Sequence, residues 1–251
     1  MAEAQACGFA NHVIANTEEL RERLIQEYSD LRDRCTWIPN GFDREVLMPG
    51  QGNEPMNAAS KFIGYELCHF GTVYGKRTPR ILLQAVCELF RNGHLKSDTI
   101  RLRFVGEWDT SDRECENYAV DLEKQGFLRR EPPISHAACL REMQRSSVLL
   151  VLQPDSPLQV PAKIYEYIAT GRPLLLIGGE GATANLVTRH ALGVSSPNQV
   201  ERIKTLLIQL TSGKQQLIPP DAARVQRFEY RSLTGELAAV LDAAVLATAC
   251  R

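Results

Sequence analysis

Two kinds of hydrophobic pattern alternate along most of the chain. Short runs of apolar and β-branched residues at positions 66–71, 100–106, 148–153 and 173–179 have the length and composition of β-strands. Between and after these runs, apolar residues recur every three or four positions, which predicts helices that each bury one face. The helical faces are formed by Ile81, Leu82, Ala85, Val86 and Leu89, by Ala137, Leu140 and Met143, and by Val200, Ile203, Leu207 and Leu210. Strands that alternate with helices predict βαβ units, a parallel sheet with helices on both faces, and ligand binding at the carboxyl ends of the strands.

The pattern before this region is different. Residues 12–15 predict a short strand, and Asn16 or Thr17 is placed to cap a helix whose apolar face carries Leu20, Leu24 and Tyr28. Residues 49–60 are rich in Gly, Pro, Asn and Ser, which is typical of a linker. We therefore expect a domain boundary at this linker.

The chain ends in an alanine- and leucine-rich stretch that predicts a helix with enough apolar residues to pack on a further surface. Together these patterns divide the chain into three parts. We predict an N-terminal segment with linker at 1–60, a Rossmann-like α/β domain at 61–218 and C-terminal helices at 219–251.

Composition excludes several classes of protein. The 251 residues are 44% hydrophobic, with 29 Lys and Arg against 30 Asp and Glu, which is typical of a globular chain and argues against disorder or collagen. The net charge of −1 and the absence of a basic block argue against a nucleic-acid partner. No apolar run approaches the roughly 20 residues of a membrane span, and the first residues do not resemble a signal peptide, so we expect a cytoplasmic location.

Cysteine and histidine positions bear on metals and redox chemistry. The seven cysteines and five histidines are scattered, without C-x-x-C or H-x-x-x-H spacing. We therefore expect reduced thiols and no metal site.

The stretch PAKIYEYIATGRPLLLIG, at residues 161–178, carries the clearest candidate chemistry. Pro161 suits the first turn of a helix, and the free amides of Ala162, Lys163 and Ile164 would then form an anion site. Glu166 lies one turn inside the helix, where its carboxylate can accept hydrogen bonds from two adjacent ribose hydroxyls. The alternative is that Glu166 only pairs with Lys163 on a solvated face.

Two glycine-containing loops are weaker candidates. Gly75, Lys76 and Arg77 precede a predicted helix, and a cation there could stabilise a phosphate, although such loops are often only solvated tips. Gly181, in the stretch GGEGAT, precedes another helix and would allow close backbone approach to a ligand. A plain strand-to-helix turn explains that glycine equally well.

Four stretches, taken in order, resemble the nucleotide-sugar-binding half of GT-B glycosyltransferases of the family 4, or group 1, type. They are VIANTEELRERL with IPNGFD (13–24 and 38–43), HFGTVYGKRTPRILLQAV (69–86), RLRFVG (101–106) and PAKIYEYIATGRPLLLIG (161–178). Each stretch is weakly specific by itself, whereas the order and spacing of all four are specific. The resemblance implies a Rossmann-like parallel sheet and a retaining transfer of a sugar from a nucleoside-diphosphate sugar to an acceptor hydroxyl, without a metal or other cofactor.

The resemblance also implies roles for individual residues. It places the diphosphate at Arg77, with Lys76 as a weaker candidate, and the ribose at Glu166; these are the two residues expected to act in catalysis. The remaining residues expected to bind the donor are Gly71, Thr72, Gly106, Pro161, Ala162, Lys163 and Gly181.

The sequence departs from the family pattern at three places and in length. Leu158 stands where many members have a carboxylate near the transferred sugar, with Gln159 as a substitute, and Thr72 stands where many have an arginine. Pro132 and Pro133 replace the usual Gly-x-V after the third strand. The acceptor domain, which would supply a catalytic histidine, is largely absent from this chain. A split enzyme that needs a separate acceptor-domain subunit, a non-catalytic Rossmann-like module and a nucleotide-sugar epimerase of the same fold are the alternatives, the last being the weakest.

Overall fold

The computed structural model describes residues 2–47, 62–75, 77–153 and 156–249. The predicted linker at 49–60 and the predicted donor residue Lys76 lie outside the described residues.

The N-terminal segment forms a small α/β unit. Its elements are α1 (Ala2–Phe9), β1 (Val13–Ala15), α2 (Glu18–Glu27), β2 (Cys35–Trp37) and α3 (Arg44–Leu47), with a 3₁₀ turn at Ser29–Leu31. β1 and β2 form a two-stranded parallel sheet. The Thr17 side chain accepts a hydrogen bond from the Leu20 amide, which confirms it as the cap of α2.

The rest of the chain alternates strands and helices. Its elements are β3 (Tyr65–Phe70), β4 (Val73–Tyr74), α4 (Arg80–Arg91), β5 (Ile100–Val105), β6 (Trp108–Asp109), α5 (Arg113–Lys124), β7 (Leu128–Glu131), α6 (His136–Arg145), β8 (Val148–Gln153), α7 (Lys163–Ala169), β9 (Leu174–Gly178), α8 (Ala182–Arg189), β10 (Gly193–Ser196), α9 (Val200–Thr211), α10 (Ala222–Gln226) and α11 (Tyr230–Ala249). Six strands form one sheet in the order β10-β9-β8-β3-β5-β7, and every pair in it is parallel. The predicted Rossmann-like fold is thus confirmed.

Each face of this sheet is buried under helices. One core cluster joins the sheet to α4, α5 and α9, and the other joins it to α6, α7 and α8. β8 lies in the middle and all six of its residues are buried, because it has helices on both sides. The sheet therefore presents only its edges and the ends of its strands to solvent.

The C-terminal segment packs back onto the loop that follows β2. The Phe42 amide donates to the Phe228 carbonyl (3.0 Å), and the Tyr230 amide donates to the Phe42 carbonyl (2.8 Å). Beyond this contact α11 carries exposed apolar side chains, including Leu241 and Leu246. No helix in the described part of the chain is long and apolar enough to cross a membrane.

Candidate functional site

Two adjoining clefts lie at the carboxyl ends of β3, β5 and β8. The larger, of about 310 Å³, opens between the loop after β3 and the start of α7, and its walls include His69, Gly71, Thr72, Arg77, Pro161 and Lys163. The smaller, of about 150 Å³, shares Gly71, Thr72 and Lys163 with it and extends to Gly106, Pro133 and Ile134. Parallel α/β sheets bind ligands at this edge, so the location agrees with the prediction from the sequence.

Glycines allow the strand ends to approach each other at the shared wall. Gly106 has a φ of +146°, and a Cβ added to it would lie 2.3 Å from the Gly71 carbonyl oxygen. The Gly71 amide donates to the Val105 carbonyl (3.0 Å), and the Gly106 amide donates to the Glu131 carbonyl (3.0 Å). Any larger residue at position 106 would push the two loops apart, so this glycine is required by the shape of the cleft.

A buried tyrosine ties the two walls of the larger cleft together. The Tyr167 hydroxyl, on α7, accepts a hydrogen bond from the Phe70 amide (2.8 Å) and donates one to the Phe70 carbonyl (3.3 Å). Burial raises the pKa of Tyr167, so the hydroxyl stays neutral. The end of β3 and the start of α7 are therefore fixed relative to each other.

Two cationic side chains line the larger cleft from opposite walls. Arg77 lies on the loop after β4, where its amide donates to the Tyr74 carbonyl (2.9 Å) and its guanidinium lies 5.8 Å from the Tyr74 ring centre. Lys163 begins α7 and lines both clefts. The sequence predicted an anion-binding role for the Lys163 amide but missed its ammonium group as a second cation.

His69 is a cleft residue that the sequence did not single out. Its Nδ1 lies 3.0 Å from the Leu150 carbonyl oxygen. Burial lowers the pKa of His69 to about 4, and the positive charges of Lys163 and Arg77 act in the same direction. A neutral imidazole therefore faces this cleft at neutral pH.

Glu166 lies beside the clefts rather than in their walls. Its carboxylate lies 3.6 Å from the Lys163 ammonium and 3.5 Å from the His136 Nε2. One carboxylate oxygen is buried and has no hydrogen-bond partner among the described residues, although the side chain is 27% exposed. That oxygen is Oε2, the one that faces the Lys163 ammonium, so the structure shows the pair with Lys163, and the ribose contact stays a prediction from the sequence.

The start of α7 differs in one respect from the predicted anion site. The Ile164 amide donates to the Pro161 carbonyl (3.1 Å), and the Tyr165 amide donates to the Ala162 carbonyl (3.1 Å). The tight first turn thus uses the Ile164 amide internally, which corrects the prediction for that group. The amides of Ala162 and Lys163 precede these bonds, and of the two residues Lys163 lines the clefts.

Gly181 is placed by packing against a neighbouring loop. Its φ is +132°, and an added Cβ would lie 2.5 Å from the Pro157 backbone. The Ala182 amide, at the start of α8, donates to the Pro157 carbonyl (2.7 Å). Gly181 lines neither cleft. Its packing agrees with the second interpretation of the sequence, a plain strand-to-helix turn.

A network of ion pairs supports the loop that closes the smaller cleft. Arg103 on β5 makes two hydrogen bonds of 2.9 Å to Glu131 on β7 and one of 2.8 Å to Glu142 on α6. Glu131 is followed directly by the segment with Pro133 and Ile134 that lines this cleft. The Arg103 guanidinium lowers the pKa of Glu131, which keeps that carboxylate charged.

Metal ligands are not clustered in the described part of the chain: it contains no group of three or more His, Cys, Asp or Glu side chains that could hold an ion.

Comparisons with known proteins come from sequence and from structure. No profile of a known protein family matches the chain. The D-inositol 3-phosphate glycosyltransferase of Nocardia farcinica is 26% identical over 76% of this chain and 44% of its own length. That of Kineococcus radiotolerans is 22% identical over 82% of this chain and 51% of its own length. The chain thus spans about half the length of these curated relatives.

Solved structures show the same fold. The Anabaena protein HepE, in complex with UDP and glucose, superposes with a TM-score of 0.70 at 17% identity, over 96% of this chain and 66% of its own. The lipopolysaccharide outer core galactosyltransferase WaaB superposes with a TM-score of 0.67 at 11% identity, over 99% and 65%. The chain is therefore similar in sequence to curated glycosyltransferases over about half of their length, and it shares the Rossmann-like fold of solved GT-B glycosyltransferases over about two thirds of theirs.

Proposed function

We propose that this chain is the donor-binding part of a glycosyltransferase that moves a sugar from a nucleoside-diphosphate sugar to an acceptor hydroxyl, with retention of the anomeric configuration. The observation that carries the proposal is the pair of cations on opposite walls of the larger cleft, Arg77 and Lys163. It is supported by the curated relatives, which are named glycosyltransferases, and by the UDP and glucose bound to the Anabaena protein.

The diphosphate is assigned to the larger cleft. Negative charge builds on the leaving diphosphate as the glycosidic bond breaks, and fixed cations stabilise that charge without a metal. Arg77 offers a planar guanidinium on one side, Lys163 an ammonium on the other, and the Ala162 and Lys163 amides lie at the first turn of α7. Thr72 stands where many relatives of the proposed type have arginine, so Arg77 and Lys163 are the Lys and Arg side chains left for the diphosphate among the described residues that line this cleft.

The nucleoside is assigned to the smaller cleft. Glu166 contacts Lys163, which lines this cleft, and its carboxylate can accept from ribose hydroxyls once the 3.6 Å contact between its Oε2 and the Lys163 ammonium opens. Gly106, Pro133 and Ile134 give the cleft an apolar stretch against which a base can pack. The donor roles of Gly71, Gly106, Pro161 and Gly181 remain predictions from the sequence.

The acceptor site is assigned to a second α/β unit that continues the small N-terminal sheet. Within the described residues β1 and β2 pair only with each other, whereas parallel sheets are almost always larger and covered on both faces. The N-terminal segment is also firmly joined to the donor domain, since Thr17 donates to the Leu158 carbonyl (2.9 Å) and Glu18 pairs with Arg189. A separate acceptor-domain subunit could supply that unit. The competing interpretation is that the chain is a non-catalytic Rossmann-like module without an acceptor site.

A cytoplasmic location is part of this proposal. The cysteines of the described chain are all free, namely Cys7, Cys35, Cys68, Cys87, Cys115 and Cys139. Buried free thiols are typical of a reducing compartment.

Calorimetric titration of the purified chain with UDP, GDP and ADP tests the proposal. One of the three nucleotides is expected to bind, and Arg77→Ala is expected to weaken it by roughly 10- to 100-fold, because a charge-assisted hydrogen bond is lost. Arg91→Ala is the matched control, since Arg91 is an exposed cation at the far end of α4 that pairs with Asp121. Equal effects of the two substitutions, or no nucleotide bound, would contradict the proposal.

The Glu166 assignment has its own test. The nucleotide that binds is compared with its 2′-deoxy form on the unmodified chain and on Glu166→Gln. The unmodified chain should prefer the ribonucleotide by about tenfold, and the substitution should remove most of that preference. If Glu166→Gln weakens both forms equally, the carboxylate only orients Lys163 and does not contact the ribose.

A further inference from the structure

We propose that His69 binds the sugar to be transferred, by accepting a hydrogen bond from one of its hydroxyls at Nε2. The proposal deepens the donor function given above and rests on it. His69 has no role among the donor residues expected from the sequence.

The hydrogen bond to Leu150 fixes which ring nitrogen carries the proton. A carbonyl oxygen can only accept, so Nδ1, at 3.0 Å from the Leu150 oxygen, is the donor. In a neutral imidazole the other nitrogen, Nε2, is then a bare acceptor. The Phe104 ring packs against the imidazole with a centroid distance of 5.5 Å, which holds the ring in this orientation.

The bare nitrogen faces the part of the cleft that a glycine leaves open. A Cβ added to Gly71 would lie 3.6 Å from Nε2, and Gly71 belongs to the wall that both clefts share. With glycine at that position Nε2 can be reached from the cleft.

The chemistry of a bare acceptor selects a hydroxyl and not a phosphate. Phosphate oxygens accept hydrogen bonds, so they repel an unprotonated Nε2. Protonation of the ring is opposed by burial and by the charges of Lys163 and Arg77, the two charged groups that act on it. A ligand hydroxyl next to the diphosphate satisfies Nε2 without a change of protonation, and the ribose is assigned to Glu166 instead.

Substitution of His69 tests the contact through the difference between two ligands. The full chain is titrated with UDP and UDP-glucose, GDP and GDP-mannose, and ADP and ADP-glucose. His69→Phe keeps an aromatic ring without an acceptor, and we expect it to leave affinity for the nucleoside diphosphate within twofold while it weakens the nucleotide sugar by roughly three- to tenfold. His69→Gln keeps a polar atom near Nε2 and serves as the second variant if His69→Phe is unfolded; it should recover part of the loss.

The outcomes separate this contact from the function on which it rests. If none of the nucleotides binds the unmodified chain, the proposed function is wrong and the contact with it. If a nucleoside diphosphate binds but His69→Phe weakens both ligands equally, or neither, only the sugar contact is wrong.

A second measurement counts protons. The diphosphate of a nucleotide sugar has no group that titrates near pH 7, so protons exchanged on binding come from the protein, where His136 beside Glu166 is a second imidazole near the clefts. Titration at pH 7 in two buffers of different ionisation enthalpy should therefore show the same number of protons taken up by the unmodified chain and by His69→Phe, because Nε2 accepts as it stands. An uptake larger by close to one proton in the unmodified chain would overturn the proposal, since it would mean that the His69 imidazolium contacts the phosphate.

Discussion

The hydroxyl of Tyr167 offers a direct test of how the cleft is held in shape. Tyr167→Phe removes one oxygen atom and leaves the ring in place. That oxygen accepts from the Phe70 amide at 2.8 Å and donates to the Phe70 carbonyl at 3.3 Å. Both residues are buried, at 2% and 0% relative exposure, so water does not replace the lost partner without a rearrangement.

The expected cost follows from leaving backbone groups unpaired. A buried donor or acceptor without a partner costs about 1–3 kcal/mol. The Phe70 amide makes the shorter bond, and the longer bond to the carbonyl adds less. We therefore expect Tyr167→Phe to lower the free energy of unfolding by about 2 kcal/mol. For a chain of this size that corresponds to a fall in Tm of roughly 4–8 °C.

Urea unfolding at pH 7, followed by circular dichroism, measures this difference. Tyr165→Phe is the matched control, because Tyr165 lies on the same helix, is equally buried, and has a hydroxyl that bonds to none of the described residues. The control should change the stability by less than about 0.5 kcal/mol. A loss for Tyr167→Phe no larger than that of Tyr165→Phe would refute the reasoning that this hydroxyl joins the two walls.

Three further predictions concern the shared wall, the ion-pair network and pH. Urea unfolding should show that Gly106→Ala lowers the free energy of unfolding by more than about 3 kcal/mol and Gly75→Ala by only about 1 kcal/mol. Both glycines have a positive φ, but an added Cβ meets the Gly71 backbone at position 106 and open space at position 75. By the same assay Arg103→Met should lower the free energy of unfolding by about 2–3 kcal/mol, because Glu131 and Glu142 lose their buried partner and keep only the exposed Arg129 and Arg145. Arg129→Met, at a side chain that is 65% exposed, should lower it by under about 0.5 kcal/mol. The pKa of His69 is lowered to about 4 in the folded chain, so the unfolded chain takes up a proton first as the pH falls below about 6.5, and the fold loses stability from there towards pH 4. Between pH 7 and pH 5 the free energy of unfolding of the unmodified chain should therefore fall by about 2 kcal/mol more than that of His69→Gln. Equal losses of stability for the two glycine variants, or for the two arginine variants, would contradict the argument made for that pair. A stability that falls with pH equally in the unmodified chain and in His69→Gln would contradict the argument for His69.

Elements whose residues are buried on all sides were the easiest to predict from the sequence. The run at 148–153 is apolar at every position except the last, Gln153, and β8 has the same bounds in the structure. The runs at 66–71, 100–106 and 173–179 correspond to β3, β5 and β9 with end points displaced by one residue. The apolar run is continuous in β8 up to Gln153 and in β9, where every position is buried, because these strands are covered on both faces. In β3 and β5 polar residues interrupt the apolar ones, and the β-branched and aromatic content carried the prediction.

Edge strands lacked this signal. β7 has the sequence LRRE, and its charged side chains are satisfied by ion pairs to other elements, which a local pattern does not reveal. β10 has the sequence GVSS and pairs with one neighbour only, so it needs little apolar surface. Neither run has the composition of a strand, and both strands depend on tertiary contacts.

His69 was missed for a similar reason. A lone histidine at the end of an apolar strand has no partner within a few positions of the sequence. Its role depends on the Leu150 carbonyl, 81 positions away, and on the glycine that leaves its Nε2 open to the cleft.

The charged groups of the site affect one another across the cleft. Thr72 stands where many related sequences have a cation, and Lys163, which belongs to the stretch 161–178, supplies a cation from the opposite wall. Lys163 lies 3.6 Å from Glu166 in the structure, so a bound diphosphate would compete for the same ammonium group. A carboxylate that shares its cation with a phosphate is less neutralised and is a better acceptor for neighbouring hydroxyls. Under the proposed assignment Lys163 would couple the diphosphate and ribose subsites, so a substitution of either Lys163 or Glu166 has to be interpreted for both.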